Sequence, residues 1–193
     1  MTTTRNRKRL ALVAALASAV AALGLVAVVF GGVVSVAATD RHWNITEWAL
    51  RTTLRSSVRA AARDITPPPG VDLRDPGLAE RAFGHYSVAC TTCHGAPGVG
   101  PSPWMVTNPP SPLLVETADR WSDGELYWIV KHGIKMTGMP ALGPTHQDGD
   151  LWAIAAFVRQ LPTMTPEAYQ AMARRYDEKK RAEHGAHEHH HGM

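Results

Sequence analysis

The sequence predicts an all-α protein with one N-terminal transmembrane helix, on three observations. Thirty consecutive residues, Leu10 to Thr39, carry no charge. Downstream, apolar residues recur at helical spacing in several segments bounded by Gly, Pro or a capping residue. No stretch of any length alternates apolar with polar residues as a half-buried strand does.

The first element follows Arg5, Arg7, Lys8 and Arg9. At about 1.5 Å per residue, a helix over residues 10–39 would more than span a ~30 Å hydrocarbon core. A basic cluster ahead of an apolar span stays in the cytoplasm, which sends everything after Asp40 outside. The apolar region of a signal peptide runs only about 7–15 residues, so an uncleaved anchor is expected. The small residues Ser35, Ala37 and Ala38 leave a cleaved signal as the alternative.

Residues 45–65 then read as a helix, with Ile45, Trp48, Leu54, Val58 and Ile65 near helical spacing, broken by the run Thr66-Pro67-Pro68-Pro69-Gly70. A second helix is expected from Leu78 to Ala89, and residues 95–116 read as a Gly- and Pro-rich loop. Ser122 with Glu125 forms a capping-box signature that opens a helix ending at Gly133. A further loop runs from Ile134 to Gln147. Asp148 and Asp150 suit the start of a helix through Leu151, Trp152, Ala155, Phe157 and Val158, which ends at Pro162. Thr165 and Pro166 start a last helix, expected to run to about Glu183, with a polar, Gly-broken tail beyond. The chain therefore divides into 1–39, 40–76, 77–162 and 163–193.

The net charge of +3 hides a pattern. Residues 66–162 hold six positive and nine negative charges, so the basic balance comes from the flanks. Nucleic-acid binding needs a basic surface on the working domain, and none is expected here.

Cys90 and Cys93 are the only cysteines, in the run Cys90-Thr91-Thr92-Cys93-His94. C-x-x-C-H marks c-type haem attachment. Two thiols at this spacing reach two vinyl groups of one porphyrin, and the next residue then lies under the ring, where its imidazole binds iron. A thioredoxin-like pair would want a βαβ context. A disulfide is plausible outside the cytoplasm but leaves His94 without a role. A zinc site would need two further ligands. Covalent haem c is the expected cofactor.

An electron-transfer iron needs a second axial ligand. The run from Gly133 to Ala141 contains Met136 and Met139. A thioether is a soft, neutral ligand that favours ferrous iron and raises the potential. Met139 is the expected ligand, because Gly138 permits close approach to the ring and Pro140 stiffens the loop beyond it. Met136 is the alternative, and the methionine left over is a packing residue.

These motifs, in this order, make residues ~77–162 resemble a class I cytochrome c domain: the helix before Cys90, the C-x-x-C-H, the Gly- and Pro-rich loop, the Met-Pro stretch and the Trp-containing helix ending in Leu161-Pro162. The runs Gly133 to Pro144 and Leu151 to Phe157 are especially similar to bacterial monohaem cytochromes and to cytochrome modules of oxidases and dehydrogenases. The resemblance implies a cytochrome c-like all-α haem domain behind the anchor. It implies first and last helices crossing beside the haem edge, with Phe83 and Tyr86 against Trp152 and Phe157. It also implies a proline carbonyl against the proximal histidine, from Pro110 or Pro112. It covers neither residues 40–76 nor those after Thr163.

The flanks are read alone. Arg51, Arg55, Arg59 and Arg63 form one stripe on the first helix after the anchor. A solvated face is weighed there against contact with anionic headgroups or an acidic redox partner. His184, His187, His189, His190 and His191 crowd the tail, where imidazoles suit copper, nickel or zinc; a solvated terminus is the plainer alternative. The expected function is electron transfer at the outer face of a bacterial inner membrane, by a periplasm-facing carrier anchored through residues 10–39, exchanging electrons with membrane redox proteins and turning over no substrate itself. The alternatives are a haem subunit of an oxidase or dehydrogenase complex, or a metal-handling redox protein.

Overall fold

The computed structural model describes residues 2–188, with side chains from Arg5 to Glu183. The chain divides into two compact units, at residues 1–41 and from His42 onward. Among the described residues every regular element is helical, and the only bridge pairs Ala96 with Val99.

The first unit is α1, Thr2–Phe30. Its stretch Arg5–Phe30 is long and apolar enough to cross a membrane. The helix stops nine residues short of the expected Thr39. Gly31 closes the last turn on the Ala27 carbonyl at 2.8 Å, and Gly32 turns left-handed with φ 64°. A Gly-Gly pair gives up helical order most easily, because neither residue has a side chain restricting the backbone.

The second unit begins with α2, Asn44–Ala61. Val58 and Ala62 are fully buried, whereas Trp43, Ile45, Trp48 and Leu50 are exposed, so the apolar periodicity reaches the core only in its later half. In the Arg stripe, Arg51 pairs with Glu47 at 2.6 Å and Arg59 approaches Glu125 at 3.8 Å. That pairing relieves part of the like-charge repulsion.

α3, Pro76–His85, is capped by Asp75, whose carboxylate accepts from the Gly77 N–H at 2.9 Å, with Pro76 in the first turn. Its α geometry ends at His85 rather than Ala89. A single π turn, Tyr86–Cys90, leads on into α4, Thr91–His94. After a long loop come α5, Leu114–Thr117, and a 3₁₀ turn, Ala118–Arg120. α6, Asp123–His132, opens with the expected capping box: Ser122 Oγ accepts from Glu125 N–H, and Ser122 N–H donates to the Glu125 carboxylate.

α7, Asp148–Gln160, is buried from Leu151 to Val158 and forms the centre of the core between α3 and α6. Phe157 meets Phe83 edge-on at 6.0 Å and Tyr86 at 4.7 Å. Trp152 does not join them. It stacks on Tyr127 of α6 at 4.1 Å and 15° between planes, so the expected contact of Trp152 with Phe83 and Tyr86 is corrected. Complete burial of a Leu or Phe contributes about 1.5–3 kcal/mol, and this layer holds Leu151, Phe157 and Leu161 all but free of solvent.

Polar ties fix the ends of α7. Arg159 donates to Asp123 at 2.7 Å and to the carbonyls of Ala118 and Trp121, and Gln160 donates to the Leu73 and Asp75 carbonyls. At the other end, Lys131 and Tyr127 both donate to Asp148. The Lys131 ammonium and the Tyr127 hydroxyl hold the Asp148 carboxyl below its usual range.

A 3₁₀ turn, Leu161–Thr163, connects to α8, Pro166–Glu188, which runs past the expected end at Glu183 and through Gly185. α8 lies on α3, with Tyr169 and Tyr176 against Phe83 at 5.3 and 5.6 Å, and Arg175 paired with Glu80 at 2.6 Å. A side chain on Gly84 would stand 2.5 Å from the Tyr176 ring, so any larger residue at this crossing would have to push that ring aside.

Candidate functional site

The π turn and α4 carry Cys90, Cys93 and His94, all partly buried. The turn exists because the Thr91 N–H reaches past the usual partner to the Tyr86 carbonyl, and the Thr91 hydroxyl donates to the same oxygen at 3.2 Å. Tyr86 is wholly buried, and its own hydroxyl donates to the Gly95 carbonyl at 2.7 Å. One residue thus braces both ends of the C-x-x-C-H segment, through its backbone carbonyl at one end and its side-chain hydroxyl at the other. Burial raises the Tyr86 pKa, with smaller contributions from Cys90 and Tyr169, which keeps the donor protonated.

Gly95 ends α4 with φ 66°, and a Cβ there would lie 2.8 Å from the Val99 carbonyl. Both thiols are free. Burial, and then Cys93, push the Cys90 thiol up to about 11, so at neutral pH it is a thiol and not a thiolate.

His94 Nδ1 lies 2.8 Å from the Pro112 carbonyl. A carbonyl only accepts, so Nδ1 carries the proton and Nε2 keeps its lone pair. Of the two prolines left open by the sequence, the structure places Pro112 in this role.

The loop after His94 runs toward the methionines. Ser102 N–H donates to the Thr92 carbonyl at 2.9 Å, and a Cβ on Gly138 would stand 3.8 Å from Thr107. The loop therefore spans from the C-x-x-C-H helix to the Gly138-Met139-Pro140 segment. Gly133, at φ 62°, would collide through any Cβ with the Met139 and Pro140 backbone at 2.6–2.7 Å, and Ile134 N–H donates to the Met139 carbonyl at 3.3 Å. Met139 is thus held by the end of α6 and is partly buried. Met136 sits at φ 60° and is 98% exposed.

This donor set fits a haem c. It comprises two neighbouring thiols, an imidazole with Nε2 available and a loop-held thioether. Trp104, Met105, Val106 and Met136 leave apolar surface exposed on the two loops, and a porphyrin would cover such surface. Among the described residues, no group of three or more His, Cys, Asp or Glu side chains could hold a metal ion. The tail histidines His184, His187, His189, His190 and His191 lie outside the described side chains.

The sequence alone gave no sign of the bracing by Tyr86, since its ring reads as an ordinary core position. Residues 77–158 match the family described as cytochrome C oxidase, cbb3-type, subunit III. No curated protein matches the chain.

Proposed function

Because residues 77–158 are a c-type cytochrome domain, we propose that the protein is a membrane-anchored, periplasm-facing electron carrier with one covalent haem c ligated by His94 and Met139. The observation that carries the reading is the His94–Pro112 hydrogen bond beside the two free thiols. When bound, haem c supplies a one-electron ferric–ferrous couple.

The chain's residues attach and orient it. Cys90 and Cys93 provide the thioether sulfurs. Pro112 fixes the plane and tautomer of the His94 imidazole and increases its basicity. Gly133 and Gly138 would let the loop backbone come close, and Met139 would offer its sulfur as the second iron ligand. Met136 is the weaker alternative, since it points into solvent. α1 serves as the anchor, and the basic residues ahead of it set the haem domain outside the cytoplasm.

The family's description, a subunit of an oxidase, favours a second reading in which this carrier works inside a larger membrane complex. The His-rich tail, if it collects copper, nickel or zinc, would add a metal-handling role.

The test is spectroscopic. Protein from a host with a cytochrome c maturation system should carry the mass of one haem after denaturation and, when oxidised, show the weak near-infrared band of His/Met ligation. Met139→Ala should abolish the band and Met136→Ala should retain it. Survival of the band without Met139 would overturn the ligand assignment.

A further inference from the structure

His85 closes α3, and His146 lies in the loop just before α7. Although 61 residues apart in the chain, their Nε2 atoms face each other in direct contact, with the rings 4.4 Å apart and 82° between planes. We propose that His85 and His146 form a second metal site, separate from the haem attachment residues, that takes a divalent transition-metal ion, Cu2+ foremost.

The donor chemistry supports this. His146 Nδ1 lies 3.1 Å from the Leu142 carbonyl, an oxygen that only accepts, so Nδ1 carries the proton and the lone pair resides on Nε2. Thr145 Oγ1, 2.8 Å from the same nitrogen, then accepts from it as well. Backbone partners of this kind set the tautomer and ring direction of metal-binding histidines. The lone pair of His146 is thus aimed toward His85 Nε2, and the exposed His85 ring has to turn aside for both imidazoles to reach one ion, since two nitrogens in direct contact leave no room between them.

Two neutral imidazoles suit copper, nickel and zinc, and the usual order of affinities puts Cu2+ first. His85 is exposed and His146 half-buried, so an ion can enter and waters can complete its coordination. The site joins α3, which leads into Cys90, to the loop that carries Met139.

A competing arrangement is a hydrogen bond in which His85 Nε2–H donates to His146 Nε2. It predicts no ion uptake, and the two are separable by titration. The tail would obscure the result, so the background is the full-length, oxidised, haem-loaded protein with His184, His187, His189, His190 and His191 all replaced by Asn. Calorimetric titration with Cu2+ should give one site per chain, with imidazole nitrogen splitting in its electron paramagnetic resonance spectrum. His85→Gln and His146→Gln should each weaken binding by about tenfold or more, roughly 1.4 kcal/mol or above. His132→Gln should leave it unchanged. The haem spectrum, monitored throughout, reports whether each variant has folded. Absence of saturable Cu2+ uptake in the correctly folded background, or affinity unaltered by both His85→Gln and His146→Gln, would overturn the proposal.

Discussion

At the scale of single residues, Tyr86 contributes more than its position in the core suggests. Its ring packs on Phe157, its carbonyl takes both bonds from Thr91, and its hydroxyl holds Gly95. Tyr86→Phe keeps the packing and leaves the buried Gly95 carbonyl without its donor. The expected cost is about 1–3 kcal/mol, read as a lower denaturation midpoint with little change in slope. An unchanged midpoint would mean that water replaces the hydroxyl. The residues of Cys90-Thr91-Thr92-Cys93-His94 were legible because their chemistry depends on local spacing alone. The choice between Pro110 and Pro112 was not, because a carbonyl's aim depends on loop dihedrals that no side chain announces. His85 and His146 were invisible for a related reason, since tertiary packing alone brings them together.

At the scale of elements, caps and breakers were the readable features. Ser122 with Glu125, Asp148 and Pro166 all stand at or next to the helix starts they mark. Ends were harder: α2 stops at Ala61 although the apolar spacing continues to Ile65, and α8 continues through Gly185, since single-residue propensity is only a weak guide to where a helix ends. The partner of Trp152 was missed because α7 is buried on every side from Leu151 to Val158, and a helix without a polar face does not reveal which neighbour each residue meets. Gly124 shows how tightly elements dock. A Cβ there would lie 2.2 Å from the Ile65 carbonyl, a backbone atom that cannot swing aside. Gly124→Ala should therefore separate the segment after α2 from α6 at a cost of about 1–3 kcal/mol. Limited proteolysis should then cut between residues 62 and 75 faster than in the parent. Equal cutting rates would show that the contact is slack.

At the scale of the whole molecule, the resemblance to a class I cytochrome c stopped at Thr163, yet α8 shares the core through Tyr169 and Tyr176. Those rings follow a helical spacing, but nothing in the sequence says which surface they cover. α2 likewise belongs to the compact unit that begins at His42. Membrane attachment rests on composition. Alkaline carbonate washing should leave the haem protein in the membrane pellet, with the domain open to protease from the periplasmic side. A soluble form beginning near Asp40 would instead identify residues 1–39 as a cleaved signal.

The π turn between His85 and Thr91 has a consequence for how this domain tolerates change in chain length. Each residue of an α-helix advances about 100° around the axis, and the turn accommodates one residue beyond the α count. Losing one of Ser87, Val88 or Ala89 would let the helix relax to ordinary winding, because four α steps cover nearly the rotation that the five steps of the π turn cover now. Cys93 and His94 would then stay close to their present facing, with His94 toward Pro112. An added residue finds no such slack and turns the attachment motif by about 100°. The segment behaves as a phase setting with room in one direction: it absorbs a single-residue deletion, whereas a single-residue insertion swings the attachment motif out of alignment.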